Sequence, residues 1–322
     1  MTFGFQTHVH GTAPARELLP GLVDLYVAAE ELGFTSGWLA QHHLGNDAGR
    51  LPSPLVLLAA AAEATSTIRL GTSVVVLPLE HPVRVAEDAA VLDVLSGGRL
   101  ELGLGAGGPS VPEFAAFGKD PARRHELYAE HRDLLLHLLG GGELADGLRV
   151  NPVRPQLLER IWESPSTPQR AAELAATGRG LLVGIGPGPV QRALADAYLA
   201  AGGSRVAAFR GGFPALVPGG DRDSQAALLW PDVRRFAEGP LSQQYLGDAP
   251  GPHEVLAALN VHYGSGEQVA ASVLTDPLLP VAADFVFAVQ AESTSIDAAV
   301  RTLQRLASDV VPQLSGAVHA TP

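Results

Sequence analysis

Four histidines near the N-terminus are the first residues whose types and spacing could do chemistry. His8 and His10 form an H-x-H at the end of a short apolar segment, and His42 and His43 close the run SGWLAQHHL at 36–44. Alternate residues on a strand face the same way, so His8 and His10 can point together into a site, as such pairs do in metal-dependent amidohydrolases. That chemistry needs more ligands from later strands: a carboxylated lysine or a glutamate, further histidines and a closing aspartate. The fifth and sixth strand-like segments carry no histidine, the eighth ends in Val289-Gln290, and the only lysine, Lys119, falls in a loop. No metal site is expected. Adjacent strand residues project to opposite faces, so His42 and His43 do not readily share one ion; one faces a site and the other packs or faces outward.

Two other stretches invite chemistry. Gly103, Gly105 and Gly108 satisfy G-x-G-x-x-G, but a dinucleotide fingerprint opens a helix inside the motif, and Pro109 and Pro112 interrupt one. These glycines read better as places where backbone approaches a ligand or packs at a strand end. The run Ser164-Pro165-Ser166-Thr167-Pro168 reads as a helix N-terminal cap whose exposed N–H groups suit an anion such as phosphate. A cap without a ligand is the plain alternative. No Gly-x-Ser-x-Gly is present to make a hydrolase nucleophile of Ser164 or Ser166.

The whole chain narrows the classes. Its 322 residues carry a formal charge of −12, which argues against nucleic acid or an anionic membrane surface as the main partner. With 0 cysteines, disulfides, thiolate metal sites and cysteine nucleophiles are excluded. No basic stretch leads into a long apolar core at the N-terminus, and no apolar run is long enough to span a membrane, so a cytoplasmic location is the expectation.

Elements that could position these residues alternate along the chain. Strand-like segments fall at 3–9, 36–41, 68–77, 99–105, 160–164, 180–186, 205–213 and 284–290. Helix-like segments lie near 15–33, 54–65, 82–95, 121–139, 168–177, 188–201, 223–238 and 295–311. Eight β-then-α units predict a (β/α)8 TIM barrel, whose sites lie at the C-terminal ends of its strands. A doubly wound open sheet is the alternative. Residues 141–158 are expected as an insertion before strand five, in the form of a hairpin, and 214–264 as a longer insertion between strands seven and eight.

The segments AAEELGFTSGWLAQHHL, then PSPLVLLAAAAEATSTIRLGTSVVVLPLEHPVRVAEDAAVLDVLSGGRLELGLG, then RIWESPSTPQRAAELAATG resemble, in order and spacing, the bacterial luciferase-like flavin monooxygenases. The phrase LGT-x(5)-LP-x(2)-HP followed by LD-x-LS-x-GR is specific as a combination. The resemblance is strong over 20–120, fair over 155–185 and weaker at the C-terminus.

This resemblance implies a single barrel domain over 1–322 that binds reduced FMN, or in a sister branch a deazaflavin, at its mouth. By alignment His42 is the active-site histidine, where an imidazole with pKa near about 6.5 trades protons at neutral pH. Ser73 and Val74 match a non-prolyl cis peptide beneath the flavin. Glu163, Ser164 and Thr167 match the phosphate-binding turn, and Arg124, across a one-residue gap, a second phosphate contact. The implied activity is an FMN-dependent monooxygenation of a small organic substrate with oxygen, the reduced flavin coming from a separate reductase and the chain forming a homodimer. Deazaflavin-dependent hydride transfer without oxygen is a second reading, and a catalytically silent flavin-binding relative a third.

Two departures bear on the cofactor. Ala106 stands where the family commonly has an arginine that reaches the flavin phosphate; losing such a contact costs about 1.5–3 kcal/mol, roughly tenfold to more than a hundredfold in affinity. Either Arg124 or Arg210 compensates, or flavin binding is weakened or lost. Gln41 replaces a common glutamate, removing a charge that could keep His42 protonated.

Overall fold

A computed structural model describes residues 1–45, 49–108, 111–238, 246, 250–291 and 294–318. All eight expected strands form, as β1 (Thr2–Thr7), β2 (Ser36–Leu39), β3 (Arg69–Thr72) with its continuation β4 (Val75–Val76), β5 (Leu100–Gly105), β6 (Ile161–Glu163), β7 (Gly180–Val183), β8 (Val206–Pro214) and, after the short β9 (His262–Gly264), β10 (Asp284–Ala288). Every pairing is parallel. The order runs β10-β1-β2-β3-β5-β6-β7-β8, and β8 pairs back to β10, which closes a (β/α)8 barrel and rules out the open sheet.

Strand parity builds the interior. Trp38, Trp162, Leu182, Ala207, Phe209 and Val286 point inward and pack together, with Trp38 edge-on to Trp162 at 5.8 Å and to Phe209 at 5.6 Å between ring centroids. Gly71 makes room for this layer, since a Cβ there would sit 2.2 Å from the Trp38 ring. Below it, at the N-terminal end, Arg69 bridges Glu101 and Asp284, leaving the C-terminal mouth as the open end. A larger apolar layer fills the space between strands and helices.

The helices follow the sequence reading with three corrections. Residues 141–158 make no hairpin: Ala145–Gly147 and Pro155–Arg160 are 3-10 turns, because Pro152 and Pro155 supply no N–H for a ladder. The helix expected at 121–139 begins as a 3-10 turn, Pro121–Arg123, before Arg124–Leu139. The final helix continues past 311, from Ile296–Arg305 through a π turn at Leu306–Val310 into Val311–Val318. A short helix, Val111–Ala116, starts after the glycine run and not inside it, with Pro112 in its first turn; Pro109 lies outside the described residues. The 214–264 insertion folds into helices Arg222–Ala237 and Pro252–Ala258 and strand β9, around a small apolar core of its own; 239–245 and 247–249 lie outside the described residues. Among the described residues, no helix is long and apolar enough to cross a membrane.

Candidate active site

The mouth has a floor, an imidazole cluster, an apolar cavity and a cationic cradle. The floor is made where β3 breaks before β4, and the Ser73–Val74 peptide bond there is cis. Val74 packs on the interior layer, while Ser73 Oγ accepts a hydrogen bond from Gln6 Nε2 at 3.0 Å. The Gln6 amide is buried, and its Oε1 has no hydrogen-bond partner.

His42 stands above this floor. Its Nε2 and the Nδ1 of His8 share a hydrogen bond of 2.9 Å, with donor and acceptor set by the tautomers. The His8 ring also stacks at 5.7 Å on His10. Gly49 backs the pair, because a Cβ there would lie 2.4 Å from the His42 ring. Val9 between the two β1 histidines has φ 60 and is fully buried, an outlying backbone for a β-branched residue. The turn is tied on both sides: Val9 N donates to Thr7 Oγ1, and the Gln290 amide accepts from His10 N and donates to His10 O. Among the described residues no cluster of three or more His, Asp or Glu could hold a metal ion.

His43 faces the other way, as parity requires. Its ring packs edge-on against Phe117 at 4.6 Å, and burial lowers its pKa from the ordinary value against the opposing pull of Glu80. Gln41 is on this outer side too. Its Nε2 donates to Glu80 Oε1 at 2.6 Å and to Pro52 O, and its Oε1 accepts from Val76 N. The side chain is therefore a strut between β2, β4 and the following loop, and its neutrality has another reason than the state of His42.

The cavity, of about 270 Å³, opens beside His8 and His10 and is walled by Phe213, Leu229, Val233 and Phe236 among others. Its far wall is thus the insertion.

The cradle, of about 210 Å³, lies on the β5–β7 side. Ala106, Ser164, Ser166, His125, Arg132, Arg170 and Arg179 are on its wall. Thr167 caps the helix Pro168–Ala175, its hydroxyl accepting from Arg170 N at 3.3 Å and its carbonyl from Ala171 N, and Pro168 has no N–H, so of the first helical N–H groups that of Gln169 is the one the cap leaves over. Ser164 N is used by Leu104 O. Glu163 is buried and organises the cations: Tyr128 donates to its Oε2 at 2.7 Å, Arg179 donates to Oε1, and Arg132 stands 3.5 Å away. Burial, then the charges of Arg124 and Arg170, hold the His125 imidazole below its ordinary value. Three arginines against Glu163 and Glu173 leave the wall net positive by one charge, three minus two.

The sequence-assigned residues fall into place unevenly. Ser73, Val74 and His42 gather at the mouth, and Ala106, Glu163, Ser164 and Thr167 at the cradle. Arg124 starts its helix beside the cradle, with Nη1 donating to Pro121 O and a buried Nε lacking a hydrogen-bond partner. Arg210 is a correction. It points out of the barrel, fully buried, and its Nε donates to Asp276 at 2.6 Å, so it cannot replace an arginine at 106. Tyr128, Arg132, Arg170 and Arg179 were not anticipated. His125, Tyr128 and Arg132 sit at i, i+3 and i+7, a single helical face that the spacing alone could have flagged.

Residues 1–228 match the luciferase-like monooxygenase family. The uncharacterized protein y4wF of Sinorhizobium fredii is 34% identical over 73% of this chain and 72% of its own. An alkanal monooxygenase alpha chain of the Kryptophanaron alfredi symbiont is 38% identical over 49% of this chain and 47% of its own, so the chain spans about half of that relative. Among solved structures, the oxygenating constituent of 3,6-diketocamphane monooxygenase from Pseudomonas putida, in complex with FMN, superposes with TM-score 0.73 at 18% identity, covering 97% of this chain and 98% of that one. The coenzyme F420 dependent tetrahydromethanopterin reductase of Methanopyrus kandleri gives 0.68 at 17%, covering 97% and 99%. These two likenesses are of fold. With the sequence match over most of its length, the chain belongs to the luciferase-like monooxygenase family.

Proposed function

We propose that the protein is an FMN-dependent monooxygenase acting with oxygen on a small, largely apolar organic substrate. The observation that carries this reading is the cradle, a net-positive pocket at a helix N-terminus that abuts the floor: Gly105 packs on Val74, and the next residue, Ala106, is on the cradle wall. A terminal phosphate suits such a pocket, since the positive end of a helix dipole and guanidiniums both favour a dianion. The buried donor Arg124 Nε and the buried acceptor Gln6 Oε1, each without a hydrogen-bond partner, fit a polar ligand spanning the two places.

Arg132, Arg170 and Arg179 would hold the phosphate in place of the arginine missing at 106, while Gln6, Ser73 and Val74 would carry the ring. When bound, the reduced flavin supplies the electrons and the oxygen-activating ring. The chain's own part is to seat both partners in a mouth that the insertion screens from water, and to hold a proton on the imidazoles of His8 and His42. A separate reductase is the proposed source of reduced flavin, and a homodimer the proposed assembly.

Anaerobic titration with photoreduced FMN, followed by ¹⁸O₂ and mass spectrometry of 2-octanone products, tests the reading. Saturable binding and one labelled oxygen per product support it. Turnover of a deazaflavin with oxygen excluded would favour the hydride-transfer reading, and binding without any turnover the silent relative.

A further inference from the structure

Glu163 is a buried carboxylate approached by three donors, of which two are bonded to it. Arg179 Nε donates to Oε1, and the Tyr128 hydroxyl donates to Oε2 at 2.7 Å. Arg132 faces the same Oε2 with Nη1 at 3.5 Å, an ion pair too long for a full hydrogen bond. On its other side the guanidinium is held by Asp133, which accepts from Nε at 2.9 Å and from Nη2 at 2.8 Å. The Tyr128 ring supports the same group, with the guanidinium carbon 5.7 Å from the ring centroid. We infer that Tyr128 is a positioning residue for anion binding: by occupying Glu163 Oε2 it holds Arg132 off the carboxylate and leaves Nη1 for a phosphate in the cradle. This inference rests on reading the cradle as the phosphate site, and goes beyond it in assigning Tyr128 a part.

The reason lies in what a buried carboxylate oxygen does when a donor is missing. It draws the nearest one, since an unmet charge in the interior is costly. Without the phenol, a contraction of about half an ångström would bring Arg132 Nη1 into bonding range of Oε2. Arg132 and Arg179 would then both be bonded to Glu163, and of the three arginines on the wall Arg170 alone would not be.

Tyr128 prevents this without adding charge. Its hydroxyl is a neutral donor, and burial, then the charge of Glu163, push its pKa well above the ordinary value, so it keeps its proton at neutral pH and beyond. Tyr128 and Arg132 stand at i and i+4 of the helix Arg124–Leu139, so one turn fixes ring and guanidinium together.

Tyr128→Phe keeps the ring, removes the hydroxyl and leaves the net charge of the wall unchanged. Dissociation constants for FMN and riboflavin are measured by flavin fluorescence in the unaltered protein, Tyr128→Phe, Arg132→Ala and the double variant. Tyr128→Phe should weaken FMN by about fivefold to tenfold and riboflavin by less than about twofold. Arg132→Ala should weaken FMN at least as much. Adding Tyr128→Phe to it should bring no more than about a further twofold, because no guanidinium is left for Glu163 to capture. A crystal structure of Tyr128→Phe should place Arg132 Nη1 within about 3.2 Å of Glu163 Oε2. An FMN affinity unchanged in Tyr128→Phe, an equal loss for riboflavin, losses that multiply in the double variant, or an Arg132 that keeps its distance overturns the inference. No preference for FMN over riboflavin in the unaltered protein overturns the cradle reading and the inference with it, so the first pair of constants tells the two failures apart.

Discussion

Gln41 and His42 are neighbours in sequence whose side chains leave one strand end in opposite directions: Gln41 is bonded to Glu80 at 2.6 Å on the outer side, and His42 to His8 at 2.9 Å in the mouth. Restoring the family's glutamate at 41 would set two carboxylates against each other and turn the donor facing Pro52 O into an acceptor. Gln41→Glu should cost about 1–3 kcal/mol at pH 8. Like charge raises the folded-state carboxyl pKa above its unfolded value, so the loss grows as pH climbs from about 4 and is least in acid. Urea midpoints at pH 5 and pH 8 check this; an equal loss at both would sink the charge argument.

Phosphate recognition by the cradle predicts a difference between FMN and riboflavin. Arg170→Ala and Arg179→Ala should each weaken FMN binding by about tenfold to a hundredfold, the worth of a charge-assisted hydrogen bond, and leave riboflavin nearly unchanged. Ala106→Arg should improve FMN affinity by less than either loss, because the wall already holds Arg132, Arg170 and Arg179. Fluorescence titration with both flavins decides; equal losses for riboflavin would mean that these arginines act on the fold alone.

His125 reports the cradle's occupancy. Its imidazole is held below the ordinary value by burial and by Arg124 and Arg170, and an anion seated among those charges would oppose the last two. Sulfate, a dianion across this range, should raise the His125 pKa. By linkage, sulfate then binds more tightly at pH 6 than at pH 8, since bound anion and bound proton favour each other. NMR titration of the ring and calorimetry at the two pH values measure both. His125→Gln should flatten the pH dependence, and a sulfate-insensitive ring would place the anion elsewhere.

The proposed dimer has a candidate face. The helices Pro54–Ala64 and Pro82–Leu95 pack against each other and leave Val56 at 74% exposure, with Val91, Val94 and Leu95 also exposed. Val56→Glu should convert a dimer to a monomer in sedimentation velocity while leaving the far-ultraviolet circular dichroism of the folded chain unchanged. A mass unchanged by Val56→Glu, or a monomer to begin with, removes this face from consideration.

Much of the barrel was legible because strand parity and helix caps are local. Pro54, Pro82 and Pro168 each open the helix that their positions predict. Parity also separated His42 from His43. Applied one strand further, it would have turned Arg210 outward, since Phe209 belongs inside. The cradle was harder to see, because Glu163 meets Tyr128 and Arg179 from separate elements and only folding brings them together. The tie between His8 and His42 was hidden for the same reason: the spacing of His8 to His10 is local, but its bond to His42 is not.

The left-handed turn at Val9 has a consequence for any attempt to harden this protein. A β-branched residue in that conformation stores on the order of 1–3 kcal/mol, and glycine would relieve this only by emptying a place in the core that the valine side chain fills, at a cost of about the same size. Glycine would accept the same turn and many others, loosening the aim of the two rings it separates. Strain, core filling and the aim of the two rings therefore meet in one side chain, so relief of the first is bought with the other two.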